Sequence, residues 1–220
     1  MKKFELTAEF VTNVFGKKLF RIKALVAFGS VEKGELGGFI EKEDNLSHEG
    51  NAWVSGNAWV SGNARVSGNA WVFDNARVSG NAWVSGNALV SGNAWVFDNA
   101  LVSGNAWVSG NARVSGNARV FDNALVSGNA WVFDNALVSG NADYAVVEGF
   151  GRCFRATTFF RCKDKILRVR CGCFYGDLAQ FREIVKETHG DSKYAKEYLA
   201  IADLMELHFS DEEGIQEVTE

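Results

Sequence analysis

The chain has 220 residues, is 47% hydrophobic, carries a formal net charge of -4 and contains no Pro. That balance fits one elongated soluble body with small end structures, and no apolar run approaches the ~20 residues of a membrane span. Residues 51–142 balance four Arg (Arg65, Arg77, Arg113, Arg119) against four Asp (Asp74, Asp98, Asp122, Asp134), which excludes both a basic nucleic-acid track and an acidic DNA mimic.

The first predicted element is a β-hairpin. Phe4, Leu6, Ala8 and Phe10 alternate with Lys3, Glu5, Thr7 and Glu9. After a break at Gly16-Lys17-Lys18, Phe20, Ile22, Ala24, Val26 and Phe28 alternate with Leu19, Arg21, Lys23, Leu25 and Ala27, giving the hairpin one apolar face. The Met1-Lys2-Lys3 start leads into this alternation and not into an apolar signal core, so a cytoplasmic location is expected. Gly37-Gly38-Phe39-Ile40 through Asn45-Leu46-Ser47-His48 keeps a six-residue beat imperfectly, with Ile40 and Leu46 in the register of Ala52. Residues 1–50 thus read as a hairpin and an atypical first coil. They cap a structure whose open end would otherwise expose unpaired backbone.

From Asn51 one unit, Asn-Ala-Xaa-Val-Ser-Gly or Asn-Ala-Xaa-Val-Phe-Asp, repeats fifteen times without insertion or deletion. A six-residue period with an aliphatic and a small residue at fixed offsets predicts a parallel β-helix over residues 51–147, three units to a triangular coil. Side chains alternate across a strand, so Ala and Val share the inner face and Xaa points out. Ser-Gly-Asn or Phe-Asp-Asn turns the corner, where Gly, Asp and Asn tolerate a left-handed backbone. About five coils are predicted, and the resemblance to known hexapeptide helices, which wind left-handed, implies the same hand.

Eighteen residues per coil sort the Xaa slots onto three outer faces. The first reads Trp53, Trp71, Leu89, Trp107, Leu125; the second Trp59, Arg77, Trp95, Arg113, Trp131; the third Arg65, Trp83, Leu101, Arg119, Leu137. All seven Trp occupy this slot. Three Trp and two Leu without a charge make the first face a candidate interface for a protein partner or a second copy, and a homo-oligomer is expected. The alternating second face suits cation–π stacking between coils, which would leave it less available. The bland alternative is that TGG codons drift to Arg or Leu codons after unit duplication, leaving structural filler.

Residues 148–220 change character. Thr158, Phe160 and Cys162 predict one strand, and Leu167, Val169, Cys171 and Cys173 share one face of the next, with Arg168 and Arg170 opposite. Asp177 caps a helix that stops at Gly190, and Asp191 or Ser192 caps a second helix carrying Tyr194, Tyr198, Ile201, Met205 and His208. A frayed acidic tail is expected from Ser210. Residues 148–175 hold seven basic and two acidic groups, against four and twelve in residues 176–220, which predicts helices docked on the hairpin. Cys153, Cys162, Cys171 and Cys173 lack paired Cys-x-x-Cys knuckles, so buried free thiols are expected and neither a metal nor a cofactor.

The segments Leu36-Gly37-Gly38-Phe39-Ile40-Glu41, Asn45-Leu46-Ser47-His48-Glu49-Gly50-Asn51, the array, Thr158-Phe159-Phe160, Cys171-Gly172-Cys173-Phe174 and Lys186-Glu187-Thr188-His189-Gly190-Asp191 together resemble a family of bacterial and phage hexapeptide-repeat proteins. Many members are labelled acyltransferases or polymer-forming proteins on the strength of the repeat alone. The resemblance implies a phage or prophage accessory role such as binding a host factor, and it supplies no catalytic residue. An acyltransferase of this kind needs a His base beside a cleft. Of His48, His189 and His208, only His48 lies in a suitable irregular coil, so the enzyme alternative rests on it. A capping role for His48 is the simpler expectation, and the reading preferred from sequence is a non-catalytic binding or scaffold protein.

Overall fold

Each Xaa-Val pair forms a two-residue strand, giving strands β4–β18 from Trp53–Val54 to Leu137–Val138. In the computed structural model, which describes residues 1–210, each of these strands pairs in parallel with the strands one coil away. Leu89 lies on Trp107 and Val90 on Val108, eighteen residues apart as the period requires. The three ladders hold five such strands each, one per face. Every inner Val and Ala of the array is at most 1% exposed, so the core is a single column of small aliphatic side chains.

The corners explain the rest of the repeat. Gly56 and Asp74 both sit at φ near +60° (+64° and +60°), where Gly is unstrained and Asp is among the few tolerated L-residues. The Asp is also bonded, since Asp74 Oδ2 accepts from Gly92 N at 3.0 Å one coil on. Asn is kept at every unit because its amide both donates and accepts. Asn51 Nδ2 donates to Asn69 Oδ1 (3.2 Å), and the ladder continues through Asn87 and Asn105 to Asn123 at 3.0 Å per step.

At the N-terminal end, β1 (Phe4–Thr12), β2 (Lys18–Ala24) and β3 (Leu36–Ile40) form an antiparallel sheet that continues into the second face, β3 pairing in parallel with β5. The expected hairpin is present, with two corrections. Strand β2 stops at Ala24, short of Val26 and Phe28, and Leu19, expected on the polar side, is 0% exposed. Register irregularities between Leu6 and Phe10 and between Arg21 and Lys23 break the simple alternation. A third correction concerns the first coil. Ile40 pairs with Val60 and Leu46 with Val66, twenty residues apart, so both stand in the Val register and not that of Ala52. The usual eighteen-residue step resumes at Trp53, which places two extra residues in the corner around His48 and Gly50.

The two ends of a parallel solenoid differ chemically. Trp53 N donates to Ala70 O, and so on up the stack, so the first coil presents chiefly carbonyls to its cap and the last chiefly N–H groups. The caps match that polarity at most contacts, with Gly62 N donating to Glu41 Oε2 (2.7 Å) and Lys163 N to Asn135 O (3.1 Å) as exceptions. At the N-terminal end Lys3 Nζ donates to Ala52 O (2.8 Å), Phe39 N to Ala58 O (2.9 Å) and Asn45 Nδ2 to Ala64 O (2.8 Å). Lys3 is 3% exposed, and burial lowers its pKa to about 8. At the C-terminal end Asn141 Oδ1 accepts from Leu125 N and Thr158 Oγ1 from Trp131 N, both at 3.0 Å, while Cys162 bridges Ala136 on the third face.

That C-terminal cap is larger than the expected hairpin. Strands β19 (Tyr144–Val147), β20 (Thr157–Arg161), β21 (Leu167–Cys171) and β22 (Phe174–Asp177) form a four-stranded antiparallel sheet in chain order. Cys173 falls in the turn between β21 and β22 and is exposed, so it does not share a strand face with Cys171. Helices α1 (Leu178–His189) and α2 (Lys193–His208) dock on this sheet as anticipated, capped by Asp177 and Ser192. Phe159 and Val169 meet Phe181, Tyr198 and Ile201 in a second core. The tail expectation beyond Ser210 concerns residues 211–220, outside the described residues.

Candidate interaction surfaces

The eighteen-residue register places the candidate side chains in the anticipated rows. Trp71 pairs with Leu89, Leu89 with Trp107, and Trp107 with Leu125. Trp53 heads this row but is not on the surface. It is 1% exposed, because the N-terminal cap folds over it: Phe28 meets its ring edge-on at 5.4 Å, and an added Cβ at Gly37 would strike it. The accessible first face is therefore Trp71 and Leu89, half-buried, then Trp107 at 42% and Leu125 at 36% exposure.

The indoles lie flat for a specific reason. Trp71 Nε1 donates to Ser55 Oγ (3.0 Å), Trp83 to Ser67 (2.9 Å), Trp95 to Ser79 (3.1 Å) and Trp107 to Ser91 (2.9 Å). Each bond joins a Trp to the Ser sixteen residues earlier, so the ring leans across the neighbouring coil. This ties the polar edge down and turns the apolar ring outward. In these four cases the Ser-Gly unit supports the Trp of the next coil, a link visible in the sequence as a Trp-minus-sixteen Ser, whereas Trp131 Nε1 has no acceptor although Ser115 precedes it by sixteen.

The second face is largely self-satisfied. Arg77 lies 4.9 Å from the Trp59 ring, Arg113 lies 5.5 Å from Trp131, and Trp95 packs on Phe97 at 4.6 Å. Trp131 is half-buried under the C-terminal sheet, with the Arg170 guanidinium 4.2 Å from its ring. Beside Trp59 and Trp95 a groove of about 460 Å³ opens against the hairpin tip, where Val14 and Phe15 are exposed. On the third face Trp83 is half exposed and Arg65 and Arg119 are exposed.

His48 lines a cavity of about 600 Å³ with Glu43, Arg65 and Trp83, yet both its ring nitrogens are engaged. Nδ1 accepts from Lys3 N at 3.1 Å, so Nε2 carries the proton and donates to Glu43 Oε1 at 2.7 Å. The ring also stacks on Phe4 with centroids 4.3 Å apart. A general base needs a free lone pair, and this ring has none. The contact with His48 is the largest influence holding Glu43 below its ordinary pKa. His48 locks the two extra residues of its corner to the N-terminal strand.

Among the cysteines, Cys162 is buried and its thiol is pushed up to about 11 by burial. Cys171 is half-buried and accepts from Thr157 Oγ1 at 3.2 Å, while Cys153 and Cys173 are exposed. All four are free thiols. Among the described residues no three His, Cys, Asp or Glu side chains are grouped to hold a metal ion, and no helix is long and apolar enough to cross a membrane.

Comparison with known proteins adds one match. The YdcK beta solenoid repeat model matches residues 58–73, 72–86, 82–97, 94–110, 106–120, 112–128 and 118–132, together about a third of the chain. No curated protein matches it. The stacked parallel coils and the repeat match agree: this chain is a β-solenoid repeat protein.

Proposed function

We propose that this protein is a non-catalytic binding scaffold that presents its first outer face to a protein partner or to a second copy of itself. The observation that supports this reading is the row Trp71, Leu89, Trp107 and Leu125 on consecutive coils, charge-free and part-exposed, at the ~4.8 Å spacing of paired strands. A rigid row loses little entropy when it docks, and large aromatic anchors dominate interface energies. The second face, with its Arg and Trp groups stacked on one another, is the weaker candidate. The earlier resemblance extends the proposal to a phage or prophage accessory protein acting on a host protein, with the left-handed winding of hexapeptide helices. Four free thiols, two of them exposed, favour the reducing cytoplasm. The acyltransferase alternative loses support from the engaged nitrogens of His48.

The test is the triple variant Trp71→Ser, Leu89→Ser, Trp107→Ser, with circular dichroism to verify folding. Sedimentation equilibrium and photo-cross-linking from position 125 in cells then read self-association and partner contact. Loss of the self-association or cross-linked product of the wild type, about tenfold or more in affinity, is the expected result. Unchanged mass and unchanged cross-links would remove this face as the site.

A further inference from the structure

Where the C-terminal sheet meets the second face, a notch of about 260 Å³ collects Arg113, Arg155 and Arg170 around Trp131, with the Asn129 amide at its rim. Three elements distant in sequence supply these guanidinium groups: the solenoid, the loop before β20, and β21. Arg113 and Arg170 both lie against the same indole, 5.5 and 4.2 Å from its centre. Arg155 packs over Gly172, where an added Cβ would meet its Nη1.

None of the three arginines has a carboxylate partner among the described residues, whereas neighbouring Arg168 pairs with Asp164 and Arg161 with Asp143. Glu148 reaches the rim only through the Asn129 amide, which donates to its Oε1 at 3.1 Å. Arg170 spends one N–H on Phe174 O at 3.3 Å, but its buried Nε and the buried Trp131 Nε1 have no acceptor. Buried donors are rarely left unpaired, and three like charges around one notch repel one another unless an anion lies between them.

We propose that this notch is an oxyanion site that takes a phosphate group, either free phosphate or the terminal monoester of a small molecule. Planar guanidinium forks match a tetrahedral oxyanion through paired charge-assisted hydrogen bonds. At about 260 Å³ the notch is smaller than a drug-sized pocket, so it accommodates the anionic group and leaves any remainder of the ligand outside. This site lies on the flank of the second face and is independent of the first-face interface.

The test is calorimetric titration of the full-length protein with inorganic phosphate, with glycerol 3-phosphate and with acetate, at constant ionic strength. Saturable binding of one phosphate per chain is expected, with acetate at least tenfold weaker. Arg155→Gln and Arg113→Gln change exposed side chains and are each expected to weaken phosphate binding about tenfold or more, while Arg65→Gln on the third face leaves it unchanged. Tighter binding of glycerol 3-phosphate than of phosphate would identify the monoester as the ligand class, and the reverse order free phosphate. Absence of saturable binding at millimolar phosphate, or equal loss in the Arg65→Gln control, would overturn the proposal.

Discussion

Val96→Asp is expected to destabilise the protein by roughly 4 kcal/mol or more, enough to unfold a typical domain in part. Val96 is 0% exposed and packs between Val78 and Val114 in a column with no polar partner. Lost volume costs less: Val96→Ala removes two methyl groups, about 1.6 kcal/mol of transfer free energy, to which a cavity contribution adds. The pH dependence separates charge from volume. Burial raises the folded-state pKa of the new carboxyl, so between its unfolded value near 4 and that raised value the folded state binds more protons. The variant therefore loses stability as pH rises through this window. Urea unfolding at pH 5 and pH 8 reads the difference, and a Val96→Asp protein as stable as Val96→Ala at both would contradict a dry core.

The second large effect concerns the ends. Residues 51–140 comprise fifteen whole units, or five whole coils, with chiefly carbonyls exposed at one end and chiefly N–H groups at the other. Without Lys3, Phe39 and Asn45 at the front and Asn141 and Thr158 at the back, the two ends become complementary. Such a head-to-tail contact does not close on itself, so this fragment is expected to form fibres whose mass grows with concentration. Deleting only residues 1–50, or only residues 142–220, leaves two ends that cannot pair by the same pattern and is expected to give no fibres. Electron microscopy and sedimentation velocity separate the three cases. A monomeric 51–140 fragment, or equal fibres from a single deletion, would refute the capping scheme.

How much was legible from sequence follows from the physics of each part. The eighteen-residue rows, the inward Val and Ala, and the helix cap at Asp177 depend on local chemistry and could be read directly, and the second cap could be narrowed to Asp191 or Ser192. The burial of Trp53 could not, because it depends on where a distant hairpin folds back and not on its own unit. The Ile40 and Leu46 register was misplaced because the two extra residues lie after both, at the His48 corner, where Gly50-Asn51 mimics an ordinary unit. Cys173 was assigned to a strand because alternation alone does not reveal a two-residue turn at Gly172. The notch of Arg113, Arg155 and Arg170 joins residues 42 and 15 positions apart, and only the basic excess of residues 148–175 hinted at it.

Every surface described above depends on eighteen residues closing one coil with the Xaa side chains outward. The most direct measurement is thiol cross-linking between two engineered cysteines, with Cys153, Cys162, Cys171 and Cys173 first changed to Ala. Leu89→Cys with Trp107→Cys, partners on adjacent coils of one face, is expected to cross-link rapidly and nearly completely with a short bifunctional reagent in the native protein. Leu89→Cys with Leu101→Cys, twelve residues apart and on different faces, is expected to stay unlinked until the protein is unfolded. Native cross-linking of the twelve-residue pair, or its absence in the eighteen-residue pair, would contradict the coil and every face built on it.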